Sequence, residues 1–380
     1  MASDQEYMAL AIRLAKQGLY STSPNPRVGC VLVKNDTIIG QGFHVKAGEG
    51  HAEVNAIADA KQRGNDTAGA TAYVTLEPCS HFGRTPPCSQ GLIDAGIVRV
   101  VGAMTDPNPT VAGNGFNKLR AAGIDVVDSC LAAESAKLNP GFIKRMSMAG
   151  KNTTPLPYVR LKMATSLDGR TAMQSGESQW ITGPEARAEV QKIRAQSCAI
   201  ICGADSVLID DPSMNVRLKA DSRQPLRVII DSQHRVTGDA KLFTLAGKVL
   251  IASPVEAEHN ISSIINNKLC DVSYLKTRTQ AGSSKVDLTH LLEQLANQGI
   301  NEVLIETGAT LAGAFVEQNL VDELVIFTAP TLLGSDARPA FNLPFMKMDQ
   351  QIRWSWHDVR MVGNDLKLVL KSQTGFNEKA

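Results

Sequence analysis

His51-Ala52-Glu53, then Pro78-Cys79, then Cys88 set the strongest condition on how this chain can fold, because three side chains far apart in sequence have to meet at one point. One imidazole and two thiolates are ligands suited to Zn²⁺, and three protein ligands leave the fourth tetrahedral position for water. A closed structural site would supply four protein ligands, so this set reads as catalytic. Glu53 lies two residues beyond His51. On a tight turn entering a helix it can face the metal without ligating it.

The pattern follows the signature of zinc nucleobase deaminases, in which zinc activates a water for attack on an amine-bearing ring carbon and a glutamate shuttles protons. Its second half is stretched, with Ser80 to Pro87 between the cysteines. Gly83, Pro86 and Pro87 suit a loop that leaves the metal and returns to it. Taken singly, His51 reads as a satisfied core histidine and each cysteine as a buried thiol. Taken jointly, with Glu53 and Pro78 in place, they read as a metal site.

At 380 residues the chain exceeds one ordinary core and suits two domains. A formal net charge of +1 gives no electrostatic case for a polyanion, so no nucleic-acid partner is expected. Asp4 and Glu6 near the N-terminus argue against a signal peptide. No apolar run approaches the roughly 20 residues needed to span a bilayer. Seven cysteines, an odd count with two assigned to metal, fit a reducing cytoplasm better than a disulfide framework. Cys30, Cys130, Cys198, Cys202 and Cys270 read as small buried hydrophobes.

Helical and strand periodicities alternate along the first half. A helix is expected over Tyr7–Gln17, and a hairpin from Val28–Val33 and Thr37–Gly42 around Asn35-Asp36. Helices at Glu53–Arg63, Gln90–Ala95 and Phe116–Ala122 then alternate with strands at Thr71–Leu76, Val98–Ala103 and Asp125–Val127. This order implies a three-layer α/β domain. Metal-bearing helix starts are expected at His51 and just after Cys79, both following strands. Gly150 to Pro157, polar with two prolines, is the clearest linker. Domains of 1–149 and 155–375 follow.

In the second half, strands at Tyr158–Met163, Ala199–Gly203, Leu226–Asp231, Val249–Ala252 and Glu302–Glu306 alternate with helices at Glu185–Gln196, Thr289–Gln298 and Thr310–Asn319. Val325–Ala329 and Leu366–Leu370 read as terminal strands, and nothing is assigned between about Val255 and Lys285. Gly308 to Ala314 opens a helix directly after a strand. Free N–H groups and the helix dipole there favour an anion such as a pyrophosphate, although a glycine cap or tight helix packing explains the small residues about as well.

Several motifs together resemble the bifunctional deaminase/reductase family of riboflavin biosynthesis. They are Ser23-Pro24-Asn25-Pro26-Arg27-Val28-Gly29, His51-Ala52-Glu53-Val54, Thr75-Leu76-Glu77-Pro78-Cys79-Ser80-His81, Gly83-Arg84-Thr85-Pro86-Pro87-Cys88, Asp106-Pro107-Asn108-Pro109 and Gly141-Phe142. In the second half they are Ser166-Leu167-Asp168-Gly169-Arg170, Ser175 to Thr182, and Leu332 to Arg338. The resemblance implies an α/β chain: an N-terminal three-layer cytidine-deaminase-like domain plus a C-terminal dihydrofolate-reductase-like α/β domain.

It further implies Zn²⁺ at His51, Cys79 and Cys88, with Glu53 as the catalytic proton shuttle. NADPH would contact Ala164, Trp180, Ser206, Asp210, Ser232 and the run Gly308, Ala309, Thr310, Leu311, Ala312, Gly313 and Ala314. Ser178, Arg194, Met214, Arg217 and Glu306 would contact the substrate in the second domain. Asn25 and His44 would orient the pyrimidine in the first, and His81 and Arg84 would meet its phosphate. A capped turn is the plain alternative for Asn25, solvated surface charge for Arg194 or Arg217, and core packing for Trp180. The implied partner is a small-molecule pyrimidine ribotide, with no nucleic acid and no membrane, and the chain is expected to be a cytoplasmic homo-oligomer. Two rivals are a zinc deaminase of nucleosides or nucleic acid, and a non-enzymatic descendant that keeps zinc for structure. Glu53, which structure alone would not require, disfavours the second.

Overall fold

The computed structural model of the protein describes residues 3–80, 86–109, 111–151, 153–218, 222–256 and 269–373. The chain divides into two compact units, Met1–Leu156 and Pro157–Ala380. No helix among the described residues is long and apolar enough to cross a membrane.

The first unit opens with α1 (Asp4–Ala15), started by a capping box in which Ser3 and Glu6 satisfy each other's backbone N–H groups. Strands β1 (Gly29–Lys34) and β2 (Thr37–Phe43) form the expected hairpin. Asn35 and Asp36 make its turn at φ 50° and 58°, the left-handed conformation their short polar side chains tolerate. Then follow α2 (Ala52–Gln62), β3 (Thr71–Val74), α3 (Cys88–Asp94), β4 (Arg99–Gly102), α4 (Asn114–Ala121), β5 (Asp125–Asp128), α5 (Ala132–Ala136) and α6 (Pro140–Gly150).

The sheet order is β2-β1-β3-β4-β5, with β1 antiparallel to both neighbours and β3, β4 and β5 parallel. Alternation along β1 builds the layers. Val31 and Val33 pack with Met8, Ala11 and Ala15 of α1, whereas Cys30 and Leu32 pack with Ala52, Ala56, Leu92 and Phe116 of α2, α3 and α4. The result is the expected three-layer arrangement. Ala52, Ala56 and Ala60 give α2 a small-residue face, and it lies so close on β2 that a Cβ at Gly42 would fall 2.5 Å from the Ala56 nitrogen. That close seat fixes the start of α2, where His51 stands.

The second unit contains β6 (Tyr158–Ser166), β7 (Arg170–Ala172), α7 (Pro184–Gln196), β8 (Ala199–Gly203), α8 (Ala204–Asp210), β9 (Leu226–Ile230), β10 (Gly247–Ser253) and β11 (Cys270–Lys276). It continues with α9 (Leu288–Asn297), β12 (Glu302–Ile305), α10 (Ala309–Glu317), β13 (Glu323–Ala329), β14 (Arg338–Pro339), β15 (Trp354–Val362) and β16 (Asp365–Ser372). Nine strands form one sheet in the order β11-β10-β9-β8-β12-β6-β13-β16-β15. The strands from β11 to β13 in that order are parallel, and β16 runs antiparallel between β13 and β15. A parallel core ending in an antiparallel C-terminal hairpin is the reductase-like α/β arrangement expected. Every parallel strand delivers its following loop to the same end of the sheet, where sites in such folds form.

Candidate zinc and cofactor sites

Three chain segments build the first site. His51 is the N-cap of α2, and Cys88 is the first residue of α3. Cys79 sits in the loop beyond β3; the second helix begins at Cys88, after Pro87, not just after Cys79 as expected. Pro87 enters α3 with an extended backbone, at φ −58° and ψ 136°.

One ligand atom from each of His51, Cys79 and Cys88 lies within 4.8 Å of the others. His51 Nδ1 is 3.2 Å from Cys88 Sγ and 3.8 Å from Cys79 Sγ. These separations suit one tetrahedral ion with bonds of about 2.0–2.3 Å, and two sulfurs with an imidazole nitrogen are a zinc donor set. Cys79 is lowered to about 4, chiefly by the Cys88 thiol that hydrogen-bonds to it and further by His51. The same bond, then burial, pushes Cys88 up. Binding a cation to both sulfurs requires both to give up their protons.

Glu53, in the first turn of α2, is only 4% exposed. Burial raises its carboxyl above the usual range, which brings it toward the neutral-pH window of a general acid/base. Asn25 and His44 meet next to His51: Asn25 Nδ2 lies 3.0 Å from His44 Nε2, and His44 Nδ1 lies 3.1 Å from the Gly50 carbonyl oxygen. The carbonyl only accepts, so Nδ1 carries the proton and Nε2 accepts from Asn25. Burial lowers His44 and favours that neutral ring. The His44 and His51 rings stand edge to face at 5.2 Å. His81 and Arg84, expected to meet the phosphate, lie outside the described residues.

In the second unit Ser206 and Asp210 lie in the helix after β8, Ser232 just beyond β9 and Gly308 just beyond β12. Gly308 is the exposed N-cap of α10, and its N–H donates to Ser206 Oγ at 3.2 Å. A Cβ at Gly308 would meet only that Oγ, at 3.8 Å, so the turn is open to a ligand. The expected cradle narrows, however. Ala312 and Gly313 are buried, and a Cβ at Gly313 would fall 2.0 Å from the Asn342 carbonyl oxygen. Gly308, Ala309, Thr310 and Leu311 therefore form the accessible part, with Ala314 partly buried behind them. An exposed helix start with room at the backbone fits a pyrophosphate.

Ser178 Oγ donates to Asp210 at 3.3 Å, and Trp180 is 69% exposed with the Arg187 guanidinium 4.5 Å from its ring centroid. Ala164 is partly buried on β6. Ser232, just beyond β9, accepts from Val286 N–H at 3.2 Å.

Arg194 and Glu306, each expected to contact the substrate, contact one another through two hydrogen bonds. Arg217 is exposed and adds positive charge toward Glu306. Met214 departs from expectation: it is 2% exposed and packs in the core with Val207, Ile229 and Phe243. Its backbone is left-handed, at φ 47°. Sequence reasoning missed Lys162, whose charge joins this cluster. Burial pushes it down against the pull of Glu306, and its signal was a lysine inside the apolar strand β6.

Comparison with known proteins gives matches over both units. Residues 1–104 match the cytidine and deoxycytidylate deaminase zinc-binding region, and residues 157–368 match the RibD C-terminal domain. The chain is 45% identical over 380 residues to the riboflavin biosynthesis protein RibD of Escherichia coli K12, covering 97% of this chain and 99% of that one. It superposes on Acinetobacter baumannii RibD with a TM-score of 0.87 at 47% identity, covering 97% of this chain and 98% of that one. A Thermotoga maritima diaminohydroxyphosphoribosylaminopyrimidine deaminase/5-amino-6-(5-phosphoribosylamino)uracil reductase gives a TM-score of 0.85 at 33% identity, with the same coverage.

Proposed function

The chain belongs to the RibD family of riboflavin-biosynthesis proteins, and on that premise we propose which residues carry its two reactions and where in the chain each reaction resides. It is a bifunctional enzyme: a zinc-dependent deaminase in the N-terminal unit and an NADPH-dependent reductase in the C-terminal unit. The first reaction hydrolyses the amino group of 2,5-diamino-6-(5-phosphoribosylamino)pyrimidin-4-one, releasing ammonia, and the second reduces the ribosyl group to ribityl phosphate.

The observation that carries the residue assignment is the meeting of His51, Cys79 and Cys88 ligand atoms beside the buried Glu53. Zinc held by those three supplies a Lewis acid that activates water. Glu53 takes the proton from the attacking water and returns it to the leaving amine. Asn25 and His44 orient the ring, and the neutral His44 keeps a fixed hydrogen-bond polarity. In the reductase, NADPH supplies the hydride, and the protein holds and orients it. Gly308–Leu311 seat the pyrophosphate, with Ser206, Asp210, Ser232, Ala164 and Trp180 around the cofactor. Arg194, Arg217, Glu306 and Ser178 contact the substrate, and the guanidiniums are the matching donors for its ribose phosphate.

We assign deamination to 1–149 and reduction to 155–375, a division that the two compact units support. A homo-oligomer is supported by β15, which leaves Trp356 66%, Val359 53% and Met361 61% exposed on an edge strand; light scattering tests it. None of the seven cysteines is paired in a disulfide, which supports a reducing cytoplasm. The deciding experiment incubates the protein with the diaminopyrimidine ribotide, with and without NADPH, and identifies products by mass. Ammonia without NADPH and a ribityl product only with it are expected. Absence of the ribityl product would favour a deaminase joined to a binding module.

A further inference from the structure

Of the three ligands, two stand on helices and one does not. His51 caps α2 and Cys88 begins α3, but Cys79 lies in a loop. On its C-terminal side the Cys79 carbonyl is held by Ser89, through N–H at 3.1 Å and Oγ at 3.0 Å. On its N-terminal side stands Glu77, an acid that neither reaction uses and whose carboxylate is buried, at 3% exposure.

That carboxylate accepts four backbone N–H bonds from a distant segment. One oxygen takes Asp106 at 3.0 Å and Gly113 at 2.9 Å. The other takes Gly115 at 2.7 Å and Phe116 at 3.3 Å. Gly113 is the N-cap of α4, and Gly115 and Phe116 lie in its first turn. Glu77 therefore satisfies N–H groups that α4 cannot pair internally and places negative charge at the positive end of its dipole. Gly115 passes so near the ligand turn that a Cβ there would fall 1.9 Å from the Pro78 carbonyl oxygen. Helix α4 is itself fixed, because Phe116 and Leu119 are plugged into the core at 1% and 0% exposure.

We propose that Glu77 is a positioning residue of the zinc site, pinning the Glu77-Pro78-Cys79 turn to the start of α4 so that the Cys79 sulfur holds its place in the ligand triangle. Each ligand is thereby referred to a helix start: His51 to α2, Cys88 to α3, and Cys79 to α4 through Glu77. The inference rests on the reading that His51, Cys79 and Cys88 hold zinc. Glutamine at position 77 keeps the shape but replaces one acceptor oxygen by an NH₂ donor, which faces two N–H groups that then lose their partner.

The test uses the full chain as wild type, Glu77→Gln, Glu77→Asp and Leu119→Ala. Zinc affinity is measured by competition with a chromophoric chelator, the visible bands of the cobalt(II)-substituted protein report ligand geometry, and thermal unfolding reports stability. Glu77→Gln should weaken zinc on the order of 10–100-fold, the range for groups that orient ligands, and shift the cobalt bands. Reduction of the deaminated substrate should not change. Leu119→Ala, which leaves the carboxylate and its four N–H partners in place, should lower the unfolding temperature and disturb zinc affinity and the bands less than Glu77→Gln does. Glu77→Asp keeps the charge with shorter reach and should show the same shifts at smaller amplitude, and it carries the test if Glu77→Gln does not fold. Unchanged zinc affinity and bands in the folded Glu77 variants, with only stability reduced, would overturn the proposal. Failure of the underlying reading looks different: wild type itself would then bind no zinc.

Discussion

The Arg194 guanidinium grips both carboxylate oxygens of Glu306, Nε to Oε1 at 2.6 Å and the second nitrogen to Oε2 at 2.8 Å. Both side chains are largely buried, at 13% and 17% exposure. Removing one partner leaves a buried charge uncompensated, a change that costs about 3–5 kcal/mol, whereas replacing both by apolar groups is often close to neutral. Glu306→Leu should therefore destabilise the reductase unit by about that amount, and the Arg194→Met/Glu306→Leu double variant should recover most of it. Denaturant unfolding followed on the full chain checks this. Both variants should lose reduction and retain ammonia release.

The same pair gives a pH prediction. Burial pushes Glu306 up, but the Arg194 charge and hydrogen bonds, joined by Lys162 and Arg217, outweigh it and hold the carboxyl below its ordinary value. A depressed folded-state pKa means that the unfolded chain takes up the proton first. The stabilisation is fully present above the unfolded value of about 4.3 and is lost as pH falls through the folded value. Stability of the reductase unit should thus fall below pH of about 4 more steeply in wild type than in Glu306→Gln. Parallel acid titrations with equal slopes would remove Glu306 from that loss.

Much of this architecture was legible because periodicity is local. The hairpin around Asn35-Asp36 and the strand-helix alternation appear where the apolar pattern put them. Strand β15 was not legible, since it is exposed on both faces and its apolar alternation breaks at the bulge between Trp356 and Asp358. Strand β11, half-exposed at the sheet edge, lay in a stretch without assignment. Cys130 and Cys270 are only partly buried, unlike Cys30, Cys198 and Cys202, because burial of a lone thiol depends on neighbours that sequence does not name. The zinc ligands were readable from residue type and order. Glu77 was not, because its partners are backbone amides about thirty or more positions away, and amides leave no mark in a sequence. Gly308 and Gly313 looked alike there, and only their surroundings separate a ligand seat from a packing contact.

Cys88 is the first residue of its helix and 2% exposed, so serine at that position keeps the backbone while removing a soft donor. Zinc binds serine far less well than thiolate. Cys88→Ser should lose zinc and deamination together, while NADPH-dependent reduction of the already deaminated substrate persists. Metal analysis and a split assay on one preparation check it. Full zinc together with full deamination would remove Cys88 from the ligand set.

Glu53 separates holding zinc from moving protons. Glutamine fills the same buried space at the start of α2 but cannot accept and return a proton. Deamination by Glu53→Gln should fall roughly 10²–10⁴-fold, with zinc content unchanged, since Glu53 is outside the triad of ligand atoms. Near-normal ammonia release would assign the proton shuttle to another group.

The two glycines of the α10 start give the sharpest test of the cofactor seat. Gly308 has φ −77° and open space around a would-be Cβ, so aspartate fits there without strain and is itself a favourable N-cap. Folding should be unaffected. A carboxylate at the helix start would nevertheless occupy the place of the cofactor's pyrophosphate and repel it, so the NADPH dissociation constant of Gly308→Asp should rise at least tenfold, or about 1.4 kcal/mol. Deamination should stay as in wild type. Gly313→Ala should behave in the opposite sense, because its Cβ would fall 2.0 Å from the Asn342 carbonyl oxygen. That variant should lose stability by displacing the 342 segment, with any change in NADPH affinity following from the fold. Fluorescence titration of NADPH and thermal unfolding on both variants distinguish the two effects. Unaltered NADPH affinity in folded Gly308→Asp would make this turn a packing element and move the pyrophosphate to another strand end.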